Sequence, residues 1–71
     1  MTGITRVEYM KTKKGLNPAL VVVFTYDDVV SDAYEIVGDS DVDTVVDWLK
    51  KTPDPVQLLI ALRQLMRITV H

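Results

Sequence analysis

Carboxylates are the residues of this chain whose spacing could do chemistry. Asp39, Asp41 and Asp43 alternate along the segment Asp39-Ser40-Asp41-Val42-Asp43, as the first oxygen ligands of a calcium-binding loop do. Such a loop also needs glycine at its sixth position for a sharp turn and glutamate at its twelfth as a bidentate ligand. Those positions hold Thr44 and Lys50. The segment therefore reads as a helix N-terminus dressed with acids, which suit the positive end of the helix dipole.

Asp27 and Asp28 follow Tyr26 between two hydrophobic runs. In residue type this resembles the metal-binding hairpin of template-copying polymerases. Two-metal chemistry needs a further carboxylate on a neighbouring strand and a far larger body around it. The first strand offers only Glu8, on the side away from the core, and the chain has 71 residues. Aspartates at that point are a polar turn, where they tolerate the geometry and bond their own backbone.

The remaining candidates are weaker. His71 is the single imidazole, with no serine or cysteine placed for it to activate. Cysteine is absent, so disulfides are excluded and a structural zinc site lacks ligands. Glycines 3, 15 and 38 are scattered and form no phosphate-cradling loop. No catalytic residue, metal site or cofactor is assigned. Lys11, Lys13 and Lys14 make a small basic cluster beside Tyr9. A pI near 5.1 argues against direct nucleic-acid binding, which favours a broad basic surface.

Charge is distributed unevenly. Nine of the ten acids lie between positions 27 and 54, where only Lys50 and Lys51 oppose them, leaving that stretch at a formal −7. A surface polarised in this way steers partners of opposite sign. Hydrophobic residues make up 48% of the chain. One domain spanning residues 1–71 buries only roughly 60% of its unfolded surface, so some apolar surface is expected to meet another molecule. There is no basic–apolar leader and no apolar run near the ~20 residues of a membrane helix. The expectation is a soluble, cytoplasmic protein.

The elements that position these residues follow from periodicity. Residues 4–11 alternate loosely as a first strand, with Val7 and Tyr9 on one side and Arg6, Glu8 and Met10 on the other. Residues 13–18 carry Gly15 and Asn17-Pro18 and read as a loop. Residues 19–26 form the clearest strand, and residues 30–37 return as a third after the Asp27-Asp28 turn. A turn of three or five residues puts Val30, Tyr34 and Ile36 on the same face as Leu20, Val22, Phe24 and Tyr26, because opposed residues share a face. That register also points Asp32 inward, an exception that places it near the sheet edge. Val21, Val23, Met10 and Ala33 then make the other face apolar as well.

Asp39 or Ser40 is expected to cap a helix over residues 41–51, with Val42, Val45, Val46 and Leu49 as its stripe. Pro53 ends it. Asp54 caps a second helix with Pro55 at its first position. That helix runs to about Arg67, its main stripe Pro55, Leu58, Leu59, Leu62, Leu65 and Met66, with Val56 and Ile60 on the other side. Ile68-Thr69-Val70 is β-prone and suggests a short C-terminal strand. The fold class is α+β: a three-stranded antiparallel meander, then two helices packed on one face.

Two functional expectations follow. The first is a non-enzymatic protein-interaction module that self-associates, most simply as a homodimer. Its contact surface would be the second sheet face (Met10, Val21, Val23, Ala33) or the outer side of the second helix (Val56, Ile60). The second is an acidic inhibitor that mimics nucleic acid and occupies a basic surface on another protein. Asp39, Asp41, Asp43 and Asp47 would then make contact, with Trp48 at the rim as an aromatic anchor.

Overall fold

A computed structural model describes residues 3–69, with side chains through Met66. Three strands precede two helices: β1 (Ile4–Lys14), β2 (Asn17–Tyr26), β3 (Val30–Val37), α1 (Asp39–Lys51) and α2 (Pro55–Thr69). The sheet is an antiparallel meander in the order β1-β2-β3.

Of the two turn lengths expected, the shorter is the one observed. Tyr26 faces Val30, Val22 faces Tyr34 and Leu20 faces Ile36, so a three-residue turn joins β2 to β3. The Val29 amide donates to the Tyr26 carbonyl at 3.0 Å. Asp27 and Asp28 between them have φ of 51° and 59°. Two positive φ values in succession are the sign pattern of a type I′ turn, whose twist matches a hairpin.

The expected loop over residues 13–18 is instead mostly strand. Lys13 pairs with Pro18 and Lys14 with Asn17, leaving Gly15 and Leu16 as a two-residue turn. Gly15 supplies the positive φ, 64°, that such a turn demands. Pro18 lies just outside the β2–β3 ladder, which ends at Ala19↔Val37, so its missing N–H costs no bond to β3. Its carbonyl accepts the Gly38 amide at 2.9 Å.

The first helix begins earlier than expected, at Asp39. Gly38, at φ 111° and ψ 144°, holds the N-cap position, and no side chain caps it. Neither Asp39 nor Ser40 is the cap, because the chain leaves β3 through a backbone shape that only glycine adopts cheaply. Asp39 and Asp41 fall in the first turn and Lys50 and Lys51 in the last, as the helix dipole favours. The second cap is as expected: the Asp54 carboxylate accepts the Val56 amide at 3.0 Å. Helical backbone runs on through Ile68 and Thr69, so the expected tail strand does not form there. Each helical step gains a backbone bond, whereas an isolated strand has none until it finds an edge. Val70 and His71 lie outside the described residues.

Both helices cover one face of the sheet. Leu20, Val22, Phe24 and Ile36 meet Val42 and Val45 of α1 and Leu58 and Leu62 of α2 in a single buried cluster. Each fully buried side chain of this kind contributes about 1.5–3 kcal/mol. Phe24 and Tyr34 stack edge to face, with centroids 5.8 Å apart.

Candidate interaction surfaces

Because the helices lie together on one side, the other face of the sheet has no layer over it among the described residues. Register brings its four expected residues into one patch: Met10 faces Val21, and Val23 faces Ala33. Met10 is 66% exposed, Ala33 is exposed, and Val21 and Val23 are half-buried. Glu8, Tyr9, Met10, Val21 and Val23 line a shallow depression of about 240 Å³. Two exposed ion pairs frame the patch, Arg6–Glu8 at 4.0 Å and Lys14–Glu35 at 3.1 Å. Two cations and two anions leave this face neutral, in contrast to the chain as a whole.

Val56 and Ile60, one turn apart on α2, are 52% and 48% exposed. The structure does not join them to the sheet-face patch, since the core and the sheet lie between. Trp48 is half-buried and packs against the core cluster, so it roofs the interior. Asp39, Asp43 and Asp47 are exposed on α1 and Asp41 is half-buried. Asp47 pairs with Lys51 at 3.3 Å. Among the described residues no three His, Cys, Asp or Glu side chains are grouped to hold a metal. No helix of the described residues is long and apolar enough to cross a membrane.

Two polar clusters went unread in the sequence. At the Asp27–Asp28 turn, the start of β1 clasps the hairpin. The Asp27 amide donates to the Gly3 carbonyl at 3.1 Å, and the Asp28 amide to the Thr5 hydroxyl at 3.1 Å. The Thr5 oxygen also lies 3.0 Å from Asp28 Oδ1. Thr5 reaches the turn because the β1–β2 register shifts between Ile4 and Arg6, leaving it as a β-bulge.

The second cluster surrounds Asp32, the inward exception, which is exposed opposite Phe24 near the open edge of β3. Burial, followed by the negative charge of Asp32, pushes the Tyr26 phenol above its ordinary pKa. On α2, the exposed Arg63 guanidinium lies near the Tyr34 oxygen and the Asp32 carboxylate of its own chain, which raise its pKa. Asp32 was a visible break in the alternation of β3. Arg63 carried no such signal, because its nearness to Tyr34 depends on how α2 crosses the sheet.

No protein family, curated protein or solved structure matches this chain.

Proposed function

We propose that this chain is a non-enzymatic interaction module that self-associates through the outer face of its sheet, two copies packing face to face about a two-fold axis. The observation that carries this reading is the uncovered patch of Met10, Val21, Val23 and Ala33 behind a sheet whose helices all lie on the other side. A two-fold contact brings a patch against itself and so requires a surface that tolerates its own charge. The balanced ion pairs Arg6–Glu8 and Lys14–Glu35 meet that requirement, whereas the acidic side of α1 would repel its copy. Burying Met10, Val21 and Val23 contributes up to ~1.5–3 kcal/mol each. That is a large share of the net stability of so small a domain.

The test is mass in solution for Met10→Asp and Val23→Asp beside the parent chain. Both variants put a charge into the patch without touching the helix-side core. Folded variants of lower mass support the reading, and folded variants of unchanged mass remove it. The second reading, a nucleic-acid mimic, draws support from the exposure of Asp39, Asp43 and Asp47 on one helix. It is tested by salt-sensitive displacement of DNA or RNA from a basic target.

A further inference from the structure

The sheet has two edges, and they differ. The β1 edge carries a bulge at Thr5 together with Arg6, Lys11, Lys13 and Lys14. Bulges, lysines and inward-pointing charges are devices that keep an edge from pairing with another chain. β3 has no bulge and no lysine, and its inward charge is Asp32 alone. Its eight residues contain no lysine, arginine or proline, and they pair with β2 without a register shift. Beside this edge lies a cavity of about 340 Å³, lined by Ile36, Val37, Leu65 and Met66 and by the charged Lys14, Glu35 and Asp41. At the other end of the same strand, Val29 is 82% exposed and Val30 59%.

We infer that β3 is an interface for a second copy of this chain, its β3 pairing antiparallel about a two-fold axis at Ala33 to make a six-stranded sheet. The register follows from charge and face. A two-fold axis normal to the sheet keeps each face on its own side, and opposed residues share a face, so the axis must pass through a residue. An axis at Asp32 or Glu35 sets like charges opposite each other and is unfavourable. An axis at Ala33 sets Asp32 opposite Tyr34 of the second copy, whose oxygen lies near Arg63. Asp32 of each copy thus meets the cation that α2 of the other copy holds at its edge. The same register sets Val30 opposite Ile36 and carries Val29 and Val30 toward the cavity beside Ile36 and Val37. An axis at Tyr34 offers neither match. Asp32 and Arg63 already share a cluster within each chain, so this register joins two such clusters across the axis and seats two bare valines beside a cavity.

This contact uses a surface the face-to-face dimer leaves free, and it does not rest on that dimer. It is tested in the full chain carrying Met10→Asp, which removes the outer-face contact. That chain is expected to remain a dimer. Adding Asp32→Arg or Arg63→Asp singly sets like charges across the interface and is expected to raise the dimer Kd tenfold or more. Mixing the two single variants restores opposite charges at both cross-pairs. Native mass spectrometry with one partner isotope-labelled should then show heterodimers in clear excess over homodimers. An effect confined within one chain cannot produce that excess. Statistical mixing, a monomeric Met10→Asp chain, or single variants that dimerise like their parent would each overturn the proposal. Asp32→Ala gives a further check, since it should weaken pairing. If Asp32 only guards a bare edge, its removal tightens association, and that result also overturns the proposal.

Discussion

Thr5 and Asp28 hold each other through both backbone and side chain: the Asp28 amide donates to the Thr5 hydroxyl at 3.1 Å, and that hydroxyl lies 3.0 Å from Asp28 Oδ1. One bulged residue at the start of β1 thus fastens the turn between β2 and β3, tying all three strands at one end of the sheet. Thr5→Val keeps the β-branched shape and removes both bonds, along with the hydroxyl's 3.3 Å contact to the Thr25 carbonyl. At about 0.5–1.5 kcal/mol per net hydrogen bond, and discounted for exposure, the expected loss is about 1 kcal/mol. Urea unfolding would read it as a lower midpoint at unchanged slope. An unchanged midpoint would mean water replaces the latch at no cost.

Gly38 links the sheet to the first helix with φ at 111°. A Cβ placed there would meet nothing within 4 Å, so any cost of Gly38→Ala is conformational. Such backbone shapes cost of order 1–3 kcal/mol for other residues. Thermal unfolding should show that loss without any change of helix content. No loss would mean the chain leaves β3 by another path.

Leu62 and Ile60 lie two residues apart on α2 yet face different surroundings. Leu62 is fully buried and Ile60 is half exposed. Leu62→Ala should destabilise by about 2–5 kcal/mol through the cavity it leaves. Ile60→Asp should change stability little and leave the solution mass as it was, because the account puts association on the sheet. A lower mass for Ile60→Asp would move the interface to the back of α2.

Reversing Asp39, Asp41 and Asp43 to lysine separates the two functional readings. Under the self-association reading the mass is unchanged, and neither parent nor variant displaces DNA from a basic protein. Displacement by the parent at low salt, lost in the variant, would favour the nucleic-acid mimic.

Much of this architecture was legible because hydrophobic alternation fixes which side of a strand faces inward. Val22, Phe24, Tyr34 and Ile36 obeyed it, and the shared face of β2 and β3 followed, while a turn of three or five residues satisfied it equally. The stripe Val42, Val45, Val46 and Leu49 likewise placed α1. The misreadings came where local chemistry competes with pairing. Lys13, Lys14 and Asn17-Pro18 have loop-like composition, yet a two-residue turn at Gly15-Leu16 lets them extend the ladder. Asp39 and Ser40 are strong capping residues, but the sharp exit from β3 needed glycine, so Gly38 took the cap. Ile68 and Thr69 are β-formers that the growing helix kept.

The outer-face patch was also legible, because period two assigns Met10, Val21, Val23 and Ala33 to one side. The clusters at Thr5 and at Arg63 were not. One depends on a bulge that shifts the register by a residue, the other on where a helix crosses a strand. Neither leaves a periodic trace in the sequence.

The most direct test of the central claim is absolute mass by light scattering across a dilution series, for the parent chain and Val23→Asp together. Self-association through the outer sheet face predicts a parent mass of at least twice the 8.0 kDa chain that holds on dilution. It also predicts a folded Val23→Asp of half the parent's mass. A parent at the mass of a single chain throughout, or a folded Val23→Asp equal to the parent, would contradict it.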